Sequence, residues 1–228
     1  KAIVFTEKNK ISYQDIKTPT LAKEQVLIAV RASGLCHTDL EVLQGNYGSS
    51  AFPVVPGHEY AGTVEQIGDE VTKIKVGDNV VVDPNIECGY CLSCQNNNAH
   101  LCETLGAYGV TVNGGFAQYS VVHQNALHDI GDLPFHIAAL AEPLGCALNG
   151  IGAINAGASN NALIFGAGPM GLLFALAAKD KGAKKITFVD INPDRLMLAE
   201  SMGFNTVQSS KENLANLNKE FDLVVDAT

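Results

Sequence analysis

Cys88, Cys91, Cys94 and Cys102 fall within one short stretch, C-G-Y-C-L-S-C-Q-N-N-N-A-H-L-C, and no other feature of the chain restricts its folding so tightly. Four thiolates at C-x2-C-x2-C-x7-C spacing can converge on one tetrahedral centre, and an all-sulfur shell with no open position is the structural type of zinc site. Iron–sulfur ligation also uses three cysteines at two-residue gaps, so spacing alone leaves the metal open. Local disulfides are the poorer reading, because two-residue gaps set the sulfurs badly for bridging. The other two cysteines, Cys36 and Cys146, are isolated. Clustering of this kind indicates metal binding in a reducing compartment, and a cytoplasmic protein is expected.

The chain has 228 residues, 46% hydrophobic and 17% charged, which is enough to bury a sizeable core in one or two domains. A net charge of −9 supplies no basic footprint for nucleic acid or an anionic membrane. With no 18-residue uncharged apolar run and no signal-peptide pattern, neither a membrane nor a nucleic acid is expected as a partner. The chain opens on Lys1 rather than Met, which reads as a trimmed terminus.

Up to about residue 125 the pattern is one of short strands. Ala2–Phe5 and Val26–Val30 are β-rich, and Tyr60–Val82 holds several strand-like runs broken at Gly68-Asp69 and Gly77-Asp78. Phe116–Val122 resumes the β pattern after the cysteine lobe. Leu40, Val42 and Leu43 continue a short helical periodicity after Cys36-His37-Thr38-Asp39, and Gly45 to Gly57 reads as a loop. Beyond Pro134 the character changes. Ala138 to Ile154 is helical in tendency, and strand then alternates with helix: Ala162–Phe165, Leu172–Lys181, Lys185–Asp190, Pro193–Met202 and Asp222–Ala227. That alternation predicts a parallel βαβ sheet, so the fold class is α/β with a β-rich part.

Two constellations carry chemistry. Gly166-Ala-Gly168-Pro169-Met170-Gly171 follows a strand, opens a helix, and is followed nineteen residues later by Asp190 at the end of the next strand. In a dinucleotide fingerprint the first glycine makes the tight turn, the second lets the pyrophosphate approach, and the third permits close helix–strand packing. Asp190 would accept hydrogen bonds from the adenosine ribose and repel a 2′-phosphate, which favours NAD over NADP, although Arg195 lies close by. The second constellation is scattered: Cys36, His58 with Glu59, and Glu142. Each alone is better read as a core thiol, a turn histidine or a carboxylate at a helix start. Together they are the thiolate, imidazole and carboxylates that a catalytic zinc with an open position requires.

Gly57-His58-Glu59-Tyr-Ala-Gly62, followed by Gly68 and Val71, resembles the zinc alcohol dehydrogenase signature of the medium-chain dehydrogenase/reductase family. Gly-Leu-Cys36-His-Thr-Asp39, the cysteine lobe and the Gly166 fingerprint resemble that family in order and separation. The resemblance implies a GroES-like catalytic domain over residues 1–147, carrying a structural-zinc lobe at 88–102, and an incomplete Rossmann NAD-binding domain over 148–228. It implies two zinc ions, one catalytic and one structural, a small alcohol or polyol as substrate, and a homodimer or homotetramer. Cys36 and His58 match the catalytic zinc ligands, Glu59 the carboxylate that ligates or backs the metal, Thr38 the proton-relaying hydroxyl and Asp39 the carboxylate that orients the imidazole. Glu142 occupies the slot of a third cysteine ligand in simple alcohol dehydrogenases, and Glu-Pro-Leu there is similar to the polyol, sorbitol-type branch. Cys146 reads as a core or pocket-wall thiol. His37 sits where the family places a residue near the cofactor pyrophosphate, and Glu41 replaces the histidine that commonly ends the relay. The expected reaction is hydride transfer between NAD and a secondary alcohol. The alternatives are a simple alcohol dehydrogenase, or a non-catalytic nucleotide-binding protein with a zinc lobe.

Overall fold

The computed structural model describes residues 1–47, 51–154, 161–217 and 221–228. The predicted Gly45–Gly57 loop therefore includes Gly48, which lies outside the described residues. Backbone contacts divide the chain into Lys1–Glu142 and Pro143–Thr228.

In the first unit, β1 (Ala2–Glu7) and β2 (Lys10–Gln14) form an antiparallel hairpin. β3 (Gln25–Ser33) leads into the short helix α1 (His37–Leu43), and β4 (Tyr60–Ile67) follows. After β5 (Asn79–Val82) come β6 (Asn85–Ile86), the single turn α2 (Leu92–Gln95) of the cysteine lobe, and β7 (Gly106–Ala107). The unit continues with β8 (Tyr119–His123), β9 (Leu127–Asp129), α3 (Phe135–Ala138) and the start of α4 (Ala141–Ala153). Five strands make one antiparallel sheet in the order β8-β3-β4-β5-β9. β3 lies inside that sheet, which is why Val26-Leu-Ile-Ala29 is a continuous buried run rather than an alternating one. Val26, Ile28, Tyr60, Val64, Val80 and Val122 form the core beneath it.

In the second unit, β10 (Asn161–Phe165), β11 (Lys185–Asp190), β12 (Asn205–Gln208) and β13 (Leu223–Asp226) are parallel and ordered β12-β11-β10-β13. Numbered within the unit this is 3-2-1-4, the arrangement around the first half of a doubly wound sheet. Helices α5 (Pro169–Asp180), α6 (Pro193–Ser201) and α7 (Lys211–Ala215) connect the strands. Helix α5 starts three residues earlier than the apolar pattern suggests. Gly168 is its N-cap and Pro169 its first residue, because a proline's fixed φ suits the first helical position and the amide it lacks would have no partner there. β12 and α7 were not anticipated, since neither has a marked apolar period. Among the described residues no helix is long and apolar enough to cross a membrane.

Two glycines set the turn between β10 and α5. Gly166 has φ of +92°, and a Cβ there would strike the Ala227 carbonyl. A Cβ on Gly171 would overlap the Gly166 carbonyl oxygen and stand 3.3 Å from the Phe188 ring. Gly171→Ala should therefore destabilise the second unit by about 1–3 kcal/mol, the usual cost of overpacking. Gly152→Ala, in α4 with nothing within 4 Å of its Cβ, should instead stabilise by about 0.5–1 kcal/mol. Thermal unfolding of the two variants checks both signs.

Candidate metal centre and nucleotide turn

Cys36 is the N-cap of α1, at the end of the connection from β3, and His58 and Glu59 immediately precede β4. Ligand atoms of Cys36, His58 and Glu59 all lie within 4.8 Å of one another. Asp39, 1% exposed, ties the two segments together: Oδ2 accepts from the Cys36 amide at 2.9 Å and Oδ1 from the Gly57 amide at 3.2 Å. His58 Nδ1 stands 3.4 Å from Asp39 Oδ1, but out of line for a hydrogen bond, so the contact is electrostatic. With Asp39 against Nδ1, Nε2 is the ring nitrogen left for a metal. The loop before β4 is fixed by Gly115 N–H to Gly57 O at 2.8 Å and Gly34 N–H to Glu59 O at 2.7 Å.

The electrostatics follow from these contacts. A hydrogen bond from His58 is the main cause holding the Cys36 thiol below its ordinary value; burial opposes it, and the amide and hydroxyl of Thr38 add to it. Burial disfavours a charged His58, yet Asp39 and Cys36 outweigh it and push the imidazole up to about 10. Burial raises the Glu59 carboxyl, and the charges of Glu142 and Asp39 raise it further against the pull of His58. A half-buried thiol with a buried imidazole and carboxylate in mutual reach is the donor set of an open zinc site, so these residues fit that ion.

Glu142 lies in the first turn of α4 and is not a member of the donor cluster, although its charge reaches Glu59. Thr38 is half-buried beside Cys36. His37 is exposed, its Nε2 3.3 Å from Glu41 Oε1. Cys146 is exposed, which overturns the core half of its reading as a core or pocket-wall thiol. The buried stripe of α4 is Pro143, Ala147 and Ile151, and Cys146 falls off it.

In the lobe, the sulfurs of Cys88, Cys91, Cys94 and Cys102 also lie within 4.8 Å of one another. The Cys88–Cys94 and Cys91–Cys94 separations are 3.9 and 3.5 Å. Zn–S bonds of about 2.3 Å in a tetrahedron put sulfurs about 3.8 Å apart, so the span suits one ion and is too small to enclose a cluster of several irons. Backbone amides supply part of the charge balance: Cys91 N–H to Cys88 Sγ and Cys88 N–H to Cys102 Sγ, both 3.3 Å. The amides of Cys88 and Thr104 hold Cys102 down to about 6.

In the second unit Asp190, 6% exposed, accepts from the Ala167 amide at 2.7 Å and the Asn192 amide at 2.8 Å. Despite burial, these bonds and Arg195, 3.9 Å away, hold its carboxyl below the usual range. Sequence reasoning did not find the Ala167 contact, which joins the acid to the glycine turn; nothing in an alanine signals it. A Cβ on Gly168 would meet only the Arg195 guanidinium, at 3.8 Å, so the turn leaves open space at the helix N-terminus, where an anionic diphosphate fits.

Comparison with known proteins agrees with both halves. Residues 22–132 match the alcohol dehydrogenase GroES-like domain. D-altritol 5-dehydrogenase of Agrobacterium fabrum is 51% identical over all of this chain and 69% of its own length. L-threonine 3-dehydrogenase of Rhizobium rhizogenes is 34% identical over 92% of this chain and 62% of its own length. A Sinorhizobium meliloti protein described as a zinc-binding dehydrogenase, solved with NADP, superimposes with a TM-score of 0.93 at 31% identity, covering 99% of this chain and 68% of that one. The chain thus spans from about three fifths to just over two thirds of the length of these proteins. On these matches it belongs to the zinc-containing alcohol and polyol dehydrogenases of the medium-chain dehydrogenase/reductase family.

Proposed function

We propose that the protein oxidises a secondary hydroxyl of a polyol or sugar alcohol with NAD, using one catalytic and one structural zinc. The observation that carries this reading is the grouping of one thiol, one imidazole and one carboxylate, Cys36, His58 and Glu59, with ligand atoms within 4.8 Å of one another. When bound, zinc supplies a Lewis acid that makes an alcohol hydroxyl more acidic, and the nicotinamide ring supplies the hydride acceptor.

This chain's residues do the rest. Cys36, His58 and Glu59 would hold the metal. Asp39 fixes the imidazole orientation. Thr38, its hydroxyl beside Cys36, takes the alcohol proton and passes it outward. The charge of Glu142 helps raise the Glu59 carboxyl. Gly166 to Gly171, with Pro169 and Met170 opening α5, receive the diphosphate on free helix amides. Asp190 has one bond on each oxygen and so keeps lone pairs for the ribose hydroxyls. Thiolate ligands suit a reducing cytoplasm. Exposed Tyr90, Leu92 and Leu101 on the lobe offer apolar surface for a homodimer or homotetramer contact.

The polyol class is supported by the 51% identity to an altritol dehydrogenase. The 34% identity to a threonine dehydrogenase supports a second reading, an amino acid bearing a secondary hydroxyl. Turnover of a panel holding hexitols, pentitols, simple secondary alcohols and L-threonine decides between them; the highest kcat/KM is expected on a polyol.

Metal analysis of the protein should find two zincs per chain. Cys36→Ser should leave one and abolish turnover, whereas Glu142→Gln should keep both; a single zinc in the unaltered protein would favour the non-catalytic alternative. Asp190→Ala should lower kcat/KM for NAD by about 10–100-fold, the worth of charged hydrogen bonds, and shift preference toward NADP. Steady-state kinetics with both cofactors reads this.

A further inference from the structure

Gly34 lies between the end of β3 and Cys36, and its backbone does not occupy the left-handed region. A left-handed φ is therefore not what demands glycine there. Space does demand it. A Cβ built on Gly34 would overlap Glu59 Oε2, and it would stand 3.1 Å from Glu59 Cβ and 3.2 Å from Cδ. All three atoms belong to one side chain, and the closest is the carboxylate oxygen. The Gly34 amide meanwhile donates to the Glu59 carbonyl at 2.7 Å, so the two backbones are pinned together and cannot part to make room. An added methyl must instead turn the Glu59 side chain.

We propose that Gly34 is a positioning residue for the metal centre: its missing side chain is the space in which the Glu59 carboxylate reaches the ligands Cys36 and His58. The inference rests on the reading of Glu59 as a ligand. Gly34 touches neither metal nor substrate and acts only through Glu59. Any side chain there would change the shell from thiol, imidazole and carboxylate toward thiol and imidazole alone, with the polar contact of the third position lost.

The test compares the unaltered protein with Gly34→Ala, Glu59→Ala and the double variant. Zinc affinity of the catalytic site is measured by chelator competition, with zinc retained in the cysteine lobe as the control for folding. Cobalt replacement then reports the ligand geometry through its visible absorption bands. Gly34→Ala and Glu59→Ala should each weaken zinc binding by about 10–100-fold, the usual cost of disturbing the support of a ligand shell, and shift the cobalt bands alike. The double variant should bind about as Glu59→Ala does, within roughly threefold, because the residues act through one contact. Unchanged affinity in Glu59→Ala would overturn the ligand reading itself. A weakened Glu59→Ala beside an unaffected Gly34→Ala would overturn only the role of Gly34. So would a second, additive loss in the double variant. Should Gly34→Ala fail to fold, recovery of folding in the double variant supports the proposal, and failure of both overturns it.

Discussion

The Asp39 carboxylate is the contact on which the metal centre depends. It is buried, and its oxygens are engaged by the amides of Cys36 and Gly57 and by the His58 ring. It thereby locks the N-terminus of α1, which carries Cys36, to the loop before β4, which carries His58 and Glu59. Removing one partner from a buried charged group costs about 3–5 kcal/mol, whereas exposed pairs such as Lys10–Glu7 contribute at most about 1 kcal/mol. The scattered surface ion pairs are therefore minor, and this one carboxylate reinforces the approach of Cys36 and His58, twenty-two positions apart in the chain.

A comparable device operates in the second unit. Asp190 ends β11, yet it holds the Ala167 amide inside the glycine turn of the neighbouring strand. The acid that is to select the ribose thus also shapes the turn that is to receive the diphosphate. In both units a buried carboxylate accepts a hydrogen bond from a backbone amide of a different element. The fold is shaped by such bonds where the functional residues stand, while the bulk of stability comes from the apolar faces of the two sheets.

Much of this was legible in the sequence, for reasons that differ by element. The cysteine lobe could be read because its ligands are local, and the parallel sheet because buried strands and an apolar helix leave strong periods. Helix α5 was begun too late because Pro169 and Met170 look like loop residues until Gly168 is known to be the N-cap. The donor set was visible only as separate residue types, since Cys36 and His58 meet through the β3–β4 pairing, a long-range fact with no local mark. The separation of Glu142 from the donor cluster was likewise hidden, as a position in sequence says nothing of which way a helix turn faces. The exposure of Cys146 was hidden for the same reason. The service of Gly34 leaves no trace at all, because a glycine kept for a neighbour's side chain is indistinguishable from one kept for its own backbone.

The cysteine lobe has almost no interior of its own: from residue 88 to 102 only Cys91 and Cys102 are buried, while Tyr90, Leu92 and Leu101 face outward. Its cohesion is therefore the metal's binding energy, in the manner of small domains that fold only when loaded. The other centre stands against packed strands, where Asp39 already holds the segment carrying Cys36 to the one carrying His58 and Glu59. The two ions thus belong to different thermodynamic kinds. An ion in the lobe would be a building material of the fold, and one at the other centre a guest in a room already built.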